Sequence, residues 1–130
     1  MSRNIDSYNK GMDILHEMVG ADGTKPIEAF KNFYPDFADF LISFGFGEIY
    51  SREALDLKQR ETITLTALIS QGAFEQMGLH LNAALNVGMK PKEIVELVIH
   101  CAAYVGFPKA CSAMVQVMNV FEQRGIKEIS

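Results

Sequence analysis

Apolar residues in this 130-residue chain recur at spacings of three and four rather than two. That spacing lays them on one side of a helix and denies them the alternation of a half-buried strand. The clearest cases are Phe74, Met77, Leu81 and Leu85, then Ile94, Leu97, Val98, Cys101 and Val105. The pattern predicts an all-α fold of six or seven helices with no sheet. A mostly polar first helix over 5–18 carries Ile5, Met12, Leu15 and Met18, and "GADGTKP" breaks the chain after it. Pro26 is placed to open a short second helix and Pro35 a third, since proline suits the first turn. Phe37, Phe40, Leu41 and Phe44 form an aromatic stripe that reads as core or subunit interface rather than a cofactor box. "FGFGEIYS" reads as a Gly-hinged turn, followed by Asp56 as N-cap of a helix over 57–71. Ile63, Leu65, Ala67, Leu68 and Ile69 cover most of that helix's circumference and predict a central, largely buried rod. A hairpin partner follows over 73–87, closed by Gly88, and a second helical pair is split at "GFP" and closed by Gly125.

Composition narrows the function classes. A chain of this length is one domain, residues 1–130, able to bury a moderate core. Its 48% hydrophobic and 22% charged content is that of a globular chain, too apolar for disorder. A net charge of −4 and a pI near 5.3 argue against a nucleic-acid partner, which would require a basic face. No basic start leads into an apolar stretch, and no run of about 18 uncharged apolar residues occurs, so neither a secretory signal nor a membrane span is expected. Two cysteines, Cys101 and Cys111, are too few for a disulfide framework and are not spaced as zinc ligands. A cytoplasmic, soluble domain is the expectation.

Sorting positions by helical face isolates a few residues able to do chemistry. Glu61 shares a face with Leu65 and Leu68, so its carboxylate must find a partner or hold its proton. His80 lies beside the Met77 and Leu81 stripe, with Ala73 and Ala84 as small neighbours that leave room for a ligand at the ring. Both could look into one cleft. Lying far apart along an antiparallel pair, they would need a neighbouring helix, a subunit or a water to couple. Each also has a plain alternative: Glu61 paired with Arg60 or a lysine at the surface, His80 as a satisfied boundary histidine. His100 and Tyr104 form an i, i+4 pair with Glu96 and Glu93 on the same side, either a polar wall of the cleft or an ordinary helix boundary. A single histidine in Glu-x-x-x-His does not make a metal site, and none is expected. His16 reads as solvated. Cys101 in an apolar stripe reads as a buried structural thiol, with a redox pair to Cys111 as the alternative.

Several motifs in fixed order carry more information than any one. G-E-I-Y-S-R at 47–52, L-D-x-x-x-R-E at 55–61, H-x-x-A-A-L-N-x-G at 80–88 and Y-x-G-F-P at 104–108 resemble the carboxymuconolactone decarboxylase family, within the alkyl hydroperoxidase D-like superfamily. The likeness covers about 44–122, so residues 1–43 stand apart as N-terminal helices and 44–125 as the family core. The superfamily's peroxidase branch carries a C-x-x-C pair four and seven residues before the helix histidine. Here those positions are Gln76 and Ala73, while Glu61 and His80 match that branch's proton-relay pair. The decarboxylase branch is therefore the closer one. The resemblance implies an all-helical subunit assembling as a ring, a hexamer or trimer, and a cofactor-free removal of CO2 from a small carboxylated lactone. It makes His80 the proton donor and Glu61 the group that orients or recharges it. Arg52 and Arg60 become candidates for holding carboxylates, with their planar bidentate donors. Glu48, His100 and Tyr104 would shape the pocket. Two other readings stay open: a thiol-dependent peroxidase using Cys101 or Cys111, and a non-catalytic helical oligomer that binds a small acid or a partner protein. In the last, Glu61 and His80 would pair internally with no accessible cavity joining them.

Overall fold

The computed structural model describes residues 5–129, and among them every regular element is helical. The chain divides into two compact units, Met1–Leu57 and Lys58–Ser130. In the first, α1 (Ile5–Gly23) is broken at Gly20, where a left-handed φ of 70° interrupts the helix within "GADGTKP". Next come α2 (Lys25–Phe33) and α3 (Pro35–Phe40), each with a proline in its first turn. Leu15, Met18, Ile27, Ala38, Ile42 and Phe46 form this unit's buried apolar set.

"FGFGEIYS" is not the hinge its glycines predict. Leu41–Tyr50 continues α3 as a π-helical segment, and the turn comes only after it, around 51–56. Neither Gly45 nor Gly47 has a positive φ. Gly47 is instead a point of close approach: a Cβ there would collide with the backbone carbonyl of Ser7, and one on Gly11 would collide with that of Ile42. Glycines thus let α1 and the π segment approach backbone to backbone. Phe37, Phe40 and Phe44 of the aromatic stripe stay exposed and Leu41 half-buried, so the stripe is not the core of this chain.

The second unit holds α4 (Leu57–Gln71), a 3₁₀ turn (Phe74–Gln76), α5 (Met77–Asn86), α6 (Pro91–Val105) and α7 (Phe107–Gln123). One core joins Leu65 and Ile69 of α4, Met77 and Leu81 of α5, Ile94 and Val98 of α6, and Val117 and Phe121 of α7. Helices α6 and α7 are the most closely packed pair, and α5 packs on α7 rather than along α4. Gly72, at φ 74°, redirects the chain out of α4, a backbone setting that costs a side-chain-bearing residue dearly. Helix α5 accordingly begins at Met77 instead of 73. Lys109 donates from Nζ to the Ser70 carbonyl at 2.8 Å, tying α7 to the last turn of α4. Helix α4 is less enclosed than its composition predicts. Glu61, Leu65 and Ile69, at i, i+4 and i+8, are buried, whereas Ile63 and Ala67 are exposed in this chain. Its apolar circumference is therefore wider than the face its neighbours cover. No helix of the described residues is long and apolar enough to cross a membrane.

Candidate functional site

The charged end of α4 and the imidazole of α5 meet directly. Glu61 is 0% exposed, the one charged residue among the described residues with a fully buried side chain. Its Oε2 and Oε1 lie 3.1 and 3.2 Å from Nδ1 of His80. An ionised carboxylate can only accept, so Nδ1 carries the proton and donates to both oxygens. Neutral His80 then has its lone pair on Nε2, and protonated His80 presents Nε2–H there. The His80 side chain is 15% exposed, so one end of the ring is anchored in the interior while the residue keeps contact with its surface.

This contact corrects the expectation that a third helix, a subunit or a water must bridge the two groups. Separations counted along a hairpin assume side-by-side axes, but α5 packs on α7, and Met77, Leu81 and Ala84 are buried in the shared core. Two side chains of ordinary length then span what remains. The surface alternative for Glu61 also fails: it is buried between Leu65 of its own helix and the ring of His80. A buried carboxylate is tolerable only with such a donor.

The other candidates lie on several elements. Arg60 precedes Glu61 on α4 and is half-buried. Glu48 and Arg52 belong to the first unit, and both are exposed. His100 and Tyr104 stack with ring centroids 5.4 Å apart and planes tilted by 34°. Tyr104, at 81% exposure, stands out from α6.

His100 lines a groove of about 410 Å³ between α4 and α6, together with Thr62, Thr66, Glu96, Leu97 and Cys101. Neither Glu61, His80 nor Tyr104 lines it. Lys58 and Glu93 pair across its mouth at 3.1 Å, and Glu93 also accepts from the Lys90 backbone N–H at 2.9 Å. Those two bonds, the backbone one first, hold the Glu93 carboxyl below the usual carboxylate range. The Glu93 carboxylate thus caps α6 instead of serving His100. Sequence reasoning passed over Thr62 and Thr66, although their i, i+4 spacing beside the buried stripe was a legible sign of a polar face. The thiols are separate in character. Cys111 is exposed, while Cys101 is 5% exposed and burial pushes its thiol above the ordinary range, with a hydrogen bond to Thr66 opposing. Both are free. Among the described residues no three His, Cys, Asp or Glu side chains converge as a metal site would need.

Comparison with known proteins places this geometry in context. The sequence model of the carboxymuconolactone decarboxylase family matches residues 35–118. A 4-carboxymuconolactone decarboxylase of Acinetobacter baylyi is 32% identical over 120 residues, 92% of this chain and 90% of that protein. A nitrosuccinic acid decarboxylase of Metarhizium robertsii is 31% identical over 111 residues, covering 83% of this chain and 76% of its own length. An uncharacterised 15.0 kDa protein of Paracoccus denitrificans is 26% identical over 99 residues, 75% of this chain and 74% of that one. With the family model matching well over half its length, the chain belongs to the carboxymuconolactone decarboxylase family.

Proposed function

We propose that this protein is a cofactor-free decarboxylase of a small diacid whose departing carboxylate sits next to an electron-withdrawing group, such as a lactone or keto carbonyl. The observation that carries the reading is the buried carboxylate held on Nδ1 of His80, which directs the ring's other nitrogen to whatever binds beside it. Two relatives at 32% and 31% identity support it, because both are named decarboxylases. Their substrates, as named, share the needed chemistry: each carries more than one carboxyl and a neighbouring group able to hold an electron pair.

The reaction balances without an added cofactor. The C–C bond to the carboxylate breaks, CO2 leaves, and the electron pair stays on the substrate, delocalised into its lactone, keto or nitro group. Protonated His80 gives the Nε2 proton to the resulting carbanion, and the ring regains a proton from solvent. Histidine suits this task because it exchanges protons near neutrality. Glu61, negative and excluded from water, stabilises the imidazolium and fixes the tautomer, so its role is positioning and electrostatic. Arg60, next to Glu61 on α4, is proposed to hold a substrate carboxylate.

A purely structural ion pair would make the same Glu61–His80 contact, so kinetics must separate the two. CO2 release would be measured with 4-carboxymuconolactone, nitrosuccinate and related keto diacids. His80→Gln is expected to lower kcat by about 10²–10⁴ with the helical circular dichroism retained. Activity unchanged by His80→Gln removes the mechanism, and no release from any diacid removes the function.

A further inference from the structure

We propose that Arg124 is a positioning residue for the His80 ring, gripping α5 from the face opposite the imidazole. The inference rests on the reading of His80 as proton donor for its consequence, and on geometry alone for its existence. Arg124 follows the last residue of α7, with its backbone N–H bonded to the Val120 carbonyl at 3.0 Å. Gly125, at φ 70°, then reverses the chain so that Ile126 N–H meets the Phe121 carbonyl at 2.9 Å. The Arg124 backbone is thereby fixed at the foot of α7.

From there the guanidinium spans two residues of α5. Nη1 donates to Asn82 Oδ1 at 3.0 Å and Nη2 to Asn86 Oδ1 at 3.1 Å. Asn82 passes the connection back along the helix, its Nδ2 donating to the Gly78 carbonyl at 2.9 Å. At 100° per residue, Asn82 and Asn86 lie about 200° and 240° around the helix from His80. The two faces of α5 thus have different anchors, Arg124 on one and Glu61 on the other.

The fork matters because it resists rotation. One hydrogen bond lets a ten-residue helix pivot about it; two parallel ones, a helical turn apart, set its roll and its height together. An imidazole nitrogen stands roughly 6 Å from the helix axis, so a roll of about 20° would move it some 2 Å. A hydrogen bond now at 3.1 Å does not survive that displacement. Glu61 cannot follow, because it is buried in the α4 face beside Leu65. Asn86, the asparagine of the H-x-x-A-A-L-N-x-G motif, gains a physical role by this account: it is one of the two points where α5 is held.

The test reads the ring itself. Long-range ¹H–¹⁵N spectra distinguish Nδ1–H from Nε2–H tautomers, and a His80→Gln spectrum assigns the signals among the three histidines. In wild type the His80 signals should report a protonated Nδ1. In folded Arg124→Gln they should move towards the mixed tautomers of a free imidazole. Arg124→Lys, which reaches only one asparagine, should lie between them. On an active diacid, kcat should fall by about 10²-fold, as expected for a misplacement of an ångström or more, with KM little changed. Unchanged His80 signals in folded Arg124→Gln overturn the proposal, whatever the activity. If Arg124→Gln does not fold, Asn86→Ala removes one tooth of the fork: displaced signals support the proposal and unchanged ones overturn it. A wild-type protein that releases no CO2 would sink the decarboxylase reading while the spectra still decide the clamp.

Discussion

The Glu61–His80 contact predicts an asymmetry that a double-mutant cycle can measure. Glu61→Ala removes a charge-assisted hydrogen bond worth about 1.5–3 kcal/mol. The histidine it strands has a side chain 15% exposed and can turn to water. His80→Ala strands the other partner, a carboxylate of 0% exposure beside Leu65. Breaking a buried pair from that side costs about 3–5 kcal/mol, because the charge left behind has neither donor nor solvent. In the double variant no orphan remains, and only the lost packing is felt. The cost of the double should therefore undershoot the sum of the singles by about 2 kcal/mol. Urea unfolding followed by far-ultraviolet circular dichroism measures each corner, at one protein concentration throughout, since any self-association would enter the apparent stability. Coupling below about 0.5 kcal/mol would mean that the groups do not depend on each other, and the argument for a buried, mutually compensating pair would fail. So would a Glu61→Ala variant less stable than His80→Ala.

Two further expectations follow from packing and burial. Gly47→Ala should destabilise by about 1–3 kcal/mol, because its Cβ meets the Ser7 backbone, whereas Gly45→Ala has open space and should be close to neutral; thermal melts of the two compare them directly. Iodoacetamide at mildly alkaline pH should label exposed Cys111 well before Cys101 in the folded protein, as peptide mass spectrometry would show. The sign for Cys101 follows from its raised value: burial favours the neutral thiol in the folded state. That contribution is complete below the thiol's unfolded range and is lost as pH climbs through the folded one, so stability should decline on that limb. Early labelling of Cys101 would revive a thiol-based redox role.

What could be read from the sequence was whatever depends on neighbours a few residues apart. Helix 57–71 is observed as Leu57–Gln71, because its apolar pattern is a local signal. Glycine is where locality fails. The pair in "FGFG" looks like a hinge, yet Gly47 serves a carbonyl forty residues earlier, and no local rule distinguishes a glycine that bends the chain from one that admits another backbone. Helix α4 fails in the same way: Ile63 and Ala67 are apolar without being covered in this chain, since periodicity measures what a helix could bury, not what reaches it. Glu61 and His80 could each be assigned to a face, but that they meet is a matter of how α4 and α5 pack, which no local pattern gives. Asn82 and Asn86 were in plain view at i, i+4, and nothing near them announced Arg124, some forty residues on. Local pattern thus supplies the rods and the sides of each rod that matter. The chemistry lies in how the rods are rolled against one another, and that roll is set by distant groups such as Arg124, whose own surroundings in sequence are unremarkable polar tail. A search for the proton donor could start from the sequence, but a search for what aims it has to start from the fold.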